Sequence, residues 1–535
     1  MKTFKIIVLL GIVVILSCGV FAQTPSAGFK VGAAKIDITP APGSAGNRGG
    51  MMGGGRGGMM GGGMPGRGEV PGAVAGGVPG AAMGGGMPGG MVGARGDANS
   101  IGRSGAAGRG GMMGRGAGMM GGRGGGASGG YPGADGILDH LYARAIVIDN
   151  GTTGAALVSV DAAGVGDNIW SQLGTRIEQE LNIPAKNLMI NPTHTHSGSG
   201  SASVEQLFNL IKEAKGKLQP ARIGYGTGVS YINVYRDYID PKTRKWWEGA
   251  NYDGPSDKTV AVINFETLDG EPIAVYFNYA CHAVVTGNTD MVSGDWPGEA
   301  ERYIEDSFDD KCIALFSVGA QGDQNPLYFQ QTFDLREIRI KDYASRGQDI
   351  SNSMPSGGAG LNKQDPTVKR LLDQQKMMIK SMGQFMGEEV KRVMRLMDPN
   401  YMSTSGKIVA AQKMLSLPGR TRIGQGRAGV DAQYTDSADV SLRLSLLMID
   451  DIALGGGSAE IYNMIAQRFK RESPVGRSIF VSMANGSSNT GYIPDDAAYG
   501  HQTFEVLSSR CKPGYAETGI VNGLLDLIKE VKQAK

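Results

Sequence analysis

The chain has 535 residues, of which 86 are glycine, and its formal net charge at pH 7 is +2. Eight arginines against two acidic residues give the segment 43–133 a charge of +6, Lys2 and Lys5 add +2, and the rest of the chain carries −6. After the first 22 residues, no segment approaches the ~20 apolar residues that a membrane-spanning helix needs. We therefore exclude an integral helical membrane protein.

The first 22 residues have the pattern of a secretory signal peptide. A short basic head (residues 1–5) precedes an apolar run (residues 6–14), and Val20-Phe21-Ala22 provides a cleavage site before Gln23. Cys18 is an alternative site for lipoprotein processing, but apolar residues continue past it, which favours cleavage after Ala22. We expect a secreted, periplasmic or cell-surface protein.

Residues 43–133 differ in composition from the rest of the chain. They repeat Gly-Gly-Met-Met, Arg-Gly-Gly and Met-Pro-Gly, with almost no aromatic or branched apolar residue. Such a segment buries too little apolar surface to offset its backbone entropy, so we predict a disordered insert. Arg-Gly-Gly tracts bind nucleic acid when aromatic residues lie between them, and here methionine takes their place. We expect no nucleic acid partner, and either a flexible spacer or weak contact with an anionic membrane surface.

The remaining residues, 23–42 and 134–535, have ordinary globular composition and are predicted to form the catalytic domain. This is more residues than a single hydrophobic core usually holds. The sequence is therefore compatible with one large domain or with two merged lobes. The cysteines Cys281, Cys312 and Cys511 cannot all pair, and their spacing matches no zinc-finger or redox motif. One disulfide is permitted outside the cytosol, but Cys281 and Cys312 flank apolar strands and are expected to be core residues.

Strand and helix patterns alternate through this domain. In chain order we predict strand 155–160, helix 168–181, strand 187–191, helix 204–217, strands 259–266 and 273–279 joined by a hairpin turn at 268–270, helix 297–308, strand 312–318, helix 368–397, strands 441–448 and 452–454, helix 460–470, strand 478–483 and helix 521–531. The methionines of helix 368–397 are expected to fill the core. This alternation predicts an α/β fold with a mixed sheet, rather than a helix bundle or a sandwich.

The segment Asn191-Pro-Thr-His-Thr-His-Ser-Gly follows one of these strands and contains two of the five histidines. Imidazole is the commonest metal ligand and the commonest proton carrier near pH 7. In an extended chain residues i and i+2 point to the same side, so His194 and His196 can serve one site, for example as metal ligand and general base. A pair of hydrogen-bonded structural histidines is the alternative that the spacing leaves open.

Other predicted strands also end in polar or glycine-rich segments, where enzymes place chemistry on a rigid scaffold. His282 follows strand 273–279, and Gly455-Gly-Gly-Ser-Ala leads from strand 452–454 to Glu460. Strand 478–483 leads toward Gly491-Tyr492. Taken singly, these residues have structural alternatives, namely a core histidine, a surface helix residue and a packed aromatic ring.

Taken together, these segments resemble the neutral ceramidase family. The resemblance rests on Gly32-Ala-Ala-Lys-Ile-Asp-Ile-Thr-Pro40, Leu138-Asp-His-Leu-Tyr-Ala-Arg-Ala145, Thr193-His-Thr-His-Ser-Gly198, His282, Gly322-Asp323, Glu460 and Gly491-Tyr492. It covers nearly all of the chain outside the leader and the insert. It implies a zinc-dependent amidohydrolase, with one zinc ion per chain, that cleaves the N-acyl bond of ceramide or a related lipid amide by zinc-activated water.

The resemblance also implies a role for individual residues. The positions that match the zinc ligands of the family are His194, His282, Glu460 and Tyr492. His196 matches the residue that contacts the reacting group, and we assign it proton transfer to the leaving amine. Arg236 matches the substrate-contacting arginine, which would stabilise an oxyanion or a carboxylate.

Three departures from the family put the substrate in doubt. Phe504 stands where the family has a second active-site tyrosine, and His501 or Tyr499 could replace the missing hydroxyl. Asn325 stands where ceramidases usually carry serine. The chain also ends after one further predicted helix, which leaves no room for the C-terminal immunoglobulin-like domain of the family. Phe504, Asn325 and His501 are thus the expected substrate-binding positions, and a different amide, ester or sugar-derived substrate or a non-catalytic surface-binding protein are the alternatives.

Overall fold

The computed structural model describes residues 28–40, 136–197, 200–242, 246–287, 289, 291–350, 361–424 and 432–533. The predicted signal peptide, the alternative processing site at Cys18 and the predicted glycine-rich insert lie outside these residues. The described residues belong to one compact unit. None of their helices is both long enough and apolar enough to span a bilayer.

The predicted elements are present with shifted ends, the largest shift being strand 441–448, which begins at Gln433, and further strands and helices that were not predicted lie between them. In chain order the strands are β1 (Lys30–Asp37), β2 (Tyr142–Asp149), β3 (Gly154–Val160), β4 (Leu188–Pro192), β5 (Gln219–Val229), β6 (Asn233–Ile239), β7 (Trp246–Asn251), β8 (Thr259–Thr267), β9 (Pro272–Tyr279), β10 (Ile313–Val318), β11 (Gln324–Pro326), β12 (Ile408–Ile423), β13 (Gln433–Ile449), β14 (Ile452–Gly457) and β15 (Arg477–Ser482). The helices are α1 (Asp167–Leu181), α2 (Val204–Gly216), α3 (Asp295–Asp306), α4 (Gln330–Ser345), α5 (Pro366–Leu396), α6 (Asn463–Glu472), α7 (Phe504–Ser508) and α8 (Ala516–Gln533).

The described strands form three sheets. The eight-stranded sheet has the order β10-β9-β8-β5-β1-β2-β3-β4, the four-stranded sheet β12-β13-β14-β15 and the small sheet β11-β6-β7. Parallel pairs occur at the edges, where β9 pairs with β10, β3 with β4 and β14 with β15. The other pairs are antiparallel, including β8 and β9, which flank the predicted hairpin turn.

The two larger sheets pack face to face around a shared core. Ile146, Ile263 and Leu315 of the eight-stranded sheet lie in one buried cluster with Leu447 and Val481 of the four-stranded sheet. Helices α1, α2, α3 and α5 cover the outer face of the larger sheet, and α6 and α8 cover that of the smaller one. The α/β class with mixed sheets is confirmed, whereas the helix–sheet–sheet–helix layering was not predicted.

Buried sulfur-containing residues fill this core as expected. Met382 and Met386 of α5 pack into the cluster between that helix and the larger sheet. Cys281, Cys312 and Cys511 are all buried and free, so the disulfide that the sequence permits is not formed among them.

Strands β1 and β2 hold together the two ends of the described chain that flank the insert. Asp37 pairs with Tyr142, and the Ile38 N–H donates to the Leu141 carbonyl at 2.8 Å. We therefore expect a chain that lacks residues 43–133 to fold with the same thermal transition as the full chain, measured by circular dichroism. Loss of the cooperative transition would show instead that the insert contributes to the folded core.

Candidate active site

A short parallel bridge brings the three histidines together. After β4 the chain turns, Thr195 pairs with Ala283, and the His196 N–H donates to the Ala283 carbonyl at 3.0 Å. Because Ala283 directly follows His282, this bridge sets His282 beside the other two. The ring centroids of His194 lie 4.6 Å from His196 and 5.0 Å from His282.

The predicted closeness of His194 and His196 is confirmed, but the predicted reason is wrong. His194 is not in an extended chain, since its φ is 63°, in the left-handed region that is uncommon for residues other than glycine. Its backbone N–H donates to the Ala162 carbonyl at 3.0 Å, which holds the turn in place. The two rings therefore meet edge to face, at an interplanar angle of 83°.

Hydrogen bonds determine which nitrogens of the two buried histidines carry protons. Nδ1 of His194 lies 2.7 Å from the Ala163 carbonyl, and Nδ1 of His282 lies 3.0 Å from the Gln324 carbonyl. A carbonyl oxygen can only accept, so each Nδ1 donates and each Nε2 presents a lone pair. Hydrogen bonds of this kind orient the histidines of metal sites.

Both lone pairs face the carboxylate of Glu460. Its Oε2 lies 3.3 Å from Nε2 of His194 and 3.2 Å from Nε2 of His282. Nε2 of His196 lies 3.2 Å from Nε2 of His194. Lone pairs and a carboxylate at this spacing repel one another unless a cation or added protons lie between them. The donor set therefore fits a divalent metal, and imidazole nitrogen with carboxylate oxygen is a set that zinc accepts.

The ionisation state of His282 also suits metal binding. The pKa of His282 is lowered to about 4, first by burial and then by the Arg236 guanidinium. Near pH 7 His282 is therefore a neutral imidazole, which is the form that binds metals.

A second parallel bridge sets Glu460 beside Tyr492. Ile461 pairs with Ile493, whose N–H donates to the Glu460 carbonyl at 2.8 Å. Because the backbone is used in this pairing, α6 begins only at Asn463, and the predicted helix start at Glu460 is wrong. Burial and the charge of Glu460 raise the pKa of the Tyr492 phenol well above its usual value.

The segment after β10 supports Glu460 from behind. The Gly322 N–H donates to the Ile461 carbonyl at 3.0 Å, and a Cβ at Gly322 would lie only 3.0 Å from that carbonyl group. Asp323 accepts the Asn463 N–H at 3.0 Å, and burial raises the pKa of its carboxyl to about 7. Glycine at 322 and an acceptor at 323 thus hold the backbone on both sides of the bridge.

Arg236 lies on β6 where its pairing with β7 is irregular. Tyr235 pairs with Asn251 but Asp237 with Glu248, so two residues of β7 stand opposite Arg236. Bulges of this kind re-aim side chains next to active sites.

The Arg236 guanidinium reaches the histidine cluster. Its Nη1 lies 3.4 Å from both ring nitrogens of His282, which sets it over the ring face. Nη1 also donates to Oδ1 of Asn325 at 3.3 Å. The guanidinium carbon lies 5.4 Å from the ring centroid of Tyr492. Arg236 therefore connects His282 with Tyr492.

The expected substrate-binding positions have different surroundings. The Phe504 ring lies 5.7 Å from Tyr492 and 6.5 Å from Trp246, so it belongs to the wall of the site. Asn325 contacts Arg236, as described above. His501 is exposed, and no described side-chain contact joins it to the three histidines, so its role stays a prediction.

Tyr499 does not replace the missing hydroxyl. Its own hydroxyl lies 3.0 Å from Oγ of Ser509 and donates to the Cys511 carbonyl at 3.3 Å. The Tyr499 hydroxyl, which was a predicted substitute for the missing hydroxyl at Phe504, is therefore already hydrogen-bonded to other groups.

Two residues of the site were missed in the sequence. Glu505 forms an ion pair with Arg236, and Asp237 accepts the indole N–H of Trp246 at 2.7 Å. A signal was present, because Asp237 directly follows Arg236 and buried charges need partners. Glu505 adjoins Phe504, whose place in the site was already suspected.

Sequence comparisons point to one family. The family model of the N-terminal part of neutral/alkaline non-lysosomal ceramidase matches residues 128–419. The neutral ceramidase of Pseudomonas aeruginosa is 26% identical over 245 residues, which is 39% of this chain and 36% of that protein. Neutral ceramidase A of Dictyostelium discoideum is 28% identical over 219 residues, 34% of this chain and 30% of that protein. The matched part of the chain thus spans about a third of the length of these curated relatives.

A solved structure supports the same relationship at the level of the fold. The crystal structure of the Pseudomonas aeruginosa neutral ceramidase superimposes with a TM-score of 0.54 at 15% identity, covering 74% of this chain and 70% of that one. The residues that the family model matches include His194, His196, Arg236 and His282. Glu460 and Tyr492 come after the matched range, and the fold brings them to the site. The chain belongs to the neutral/alkaline non-lysosomal ceramidase family.

Proposed function

We propose that this protein is a secreted zinc-dependent amidohydrolase that cleaves the N-acyl bond of ceramide or a related lipid amide. The observation that carries the proposal is that Nε2 of His194 and Nε2 of His282 each lie within 3.3 Å of Oε2 of Glu460. Family membership supports the substrate class, and the pattern of residues 1–22 supports secretion. Contact of the basic insert with anionic lipid is a further part of the proposal.

Four side chains would hold the zinc ion in this proposal, namely His194, His282, Glu460 and Tyr492. When bound in a site with an open position, zinc polarises an acyl carbonyl and makes water acidic enough to attack near neutral pH. The three histidines, whose ligand atoms lie within 4.8 Å of one another, are the alternative donor set.

The other site residues would act directly on the substrate. His196 is exposed and lies at the edge of the cluster, where it can receive a proton and pass it to the leaving amine. Arg236 is held in a buried position, so its N–H groups are already oriented to donate to an oxygen of the acyl group. Phe504 and Tyr492 form an apolar wall beside these groups.

A different amide or ester is the second candidate substrate. The observation that favours it is Phe504, since the resemblance places a tyrosine hydroxyl at this position in ceramidases. A hydrogen bond from this hydroxyl to the substrate would contribute about 0.5–1.5 kcal/mol to binding. Its loss is enough to alter the preference between substrates without removing hydrolytic activity.

Alanine variants of the histidines test the proposal. His194→Ala and His282→Ala are expected to lose both zinc and activity, because each removes a ligand nitrogen. His196→Ala is expected to keep zinc and to slow turnover by about 10²- to 10⁴-fold, the usual contribution of an acid–base group. Zinc per chain is measured by mass spectrometry and turnover with a fluorescent ceramide.

His140→Ala is the matched control, because His140 is exposed and pairs with Asp37 outside the cluster. It should keep both zinc and activity. Wild-type protein that binds no zinc would refute the metal site and favour a non-catalytic surface-binding protein. Full turnover by His196→Ala would refute its proton-transfer role.

Phe504→Tyr tests the substrate. If ceramide is the substrate and the missing hydroxyl limits the reaction, its hydrolysis should rise by roughly two- to tenfold, the value of one neutral hydrogen bond. Hydrolysis rates of fluorescent ceramide and of a simple acyl amide are compared for both proteins. An unchanged ceramide rate, together with faster cleavage of the simple amide by the wild type, would favour the second candidate.

A further inference from the structure

Two buried acidic side chains lie behind Arg236. Asp237 and Glu505 have 2% and 0% of their surface exposed. Asp237 follows Arg236 on β6, and Glu505 follows Phe504 in the first turn of α7. The Tyr462 hydroxyl lies 2.7 Å from Asp237 and 3.3 Å from Glu505, so the two carboxyl groups lie side by side, and Glu505 forms an ion pair with the guanidinium of Arg236.

Charge balance points to a proton on one of these carboxyl groups. Two ionised carboxylates side by side would repel each other, whereas a proton on one of them lets that group donate to the other. The cation in contact with the pair is Arg236, and it balances one negative charge. A second unbalanced charge at this depth would be costly.

The geometry identifies Asp237 as the protonated member. Glu505 faces the cationic guanidinium of Arg236. Asp237 accepts the Trp246 indole N–H and the Tyr462 hydroxyl, each at 2.7 Å, and both are neutral donors. Consistent with this, burial and the charge of Glu505 raise the pKa of Asp237 well above its usual value.

We propose that Glu505, held by a hydrogen bond from protonated Asp237, is a positioning residue that sets the Arg236 guanidinium over the substrate side of the site. This inference rests on the proposed function, which gives Arg236 its substrate contact. The pairing holds Nη2 on Glu505 and leaves Nη1 facing His282 and Asn325.

The same pair anchors the aromatic wall. Trp246 donates to Asp237, and its ring stacks on Phe504, which in turn meets Tyr492. The buried pair of Asp237 and Glu505 thus orients both Arg236 and the aromatic wall. Because the pair touches neither the histidines nor Glu460 in any described contact, its loss should leave His194, His282 and Glu460 in place to hold the metal.

Two nearly isosteric variants test the proposal. Glu505→Gln removes the charge that holds Arg236 and should lower kcat on the order of 100-fold, as expected for a misplaced positioning group, with zinc content unchanged. Asp237→Asn keeps a neutral side chain that still donates to Glu505, so its loss of kcat should be about tenfold smaller than that of Glu505→Gln, whereas His140→Ala, outside the site, should keep the wild-type kcat. An equal loss in both variants, or an Asp237→Asn chain that does not fold, would overturn the proposal.

Infrared spectroscopy supplies a readout that does not depend on activity. The difference spectrum of wild type minus Asp237→Asn at pH 7 should contain the C=O stretch of a protonated carboxyl group, and its absence would overturn the proposal. This band reports the protonation state of Asp237 even if the wild type proves inactive on ceramide. A failure of the proposed function can therefore be told apart from a failure of this inference. If Glu505→Gln does not fold, the presence or absence of the band alone tests the inference.

Discussion

The site depends on two backbone carbonyls that accept from histidine. Ala163 and Gln324 take the Nδ1 protons of His194 and His282, so both Nε2 lone pairs must point inward at Glu460. Without these two hydrogen bonds either ring could change tautomer and donate to Glu460 directly, which would give a satisfied structural cluster. With them, the two Nε2 atoms and the Glu460 carboxylate are all acceptors, and a cation between them resolves that conflict.

Two short backbone bridges between distant segments, rather than one long loop, bring the site residues together. One bridge joins Thr195 to Ala283 and the other joins Ile461 to Ile493. The first aligns the histidines and the second aligns Glu460 with Tyr492. Residues that are far apart in the chain therefore meet on paired backbone, which limits their movement relative to one another and suits a site that needs fixed ligand geometry.

Much of the fold was predictable, because apolar periodicity reports the strands and helices directly. The strand that ends at Pro192 and the polar segments after later strands also pointed to the site. The local conformation was less accessible. His194 takes a left-handed φ that no spacing rule anticipates, and Glu460 leaves the predicted helix because its neighbours pair with Ile493. The roles of Asp237 and Glu505 depend on a contact between β6 and α7, which no local pattern contains.

The central claim is that one metal ion binds where His194, His282 and Glu460 converge. X-ray anomalous scattering from a crystal of the purified protein, recorded on both sides of the zinc absorption edge, tests it most directly. The account predicts one strong zinc peak within bonding distance of both Nε2 atoms and the Glu460 carboxylate. A refined map without that peak, in which protons alone join these side chains, would contradict it.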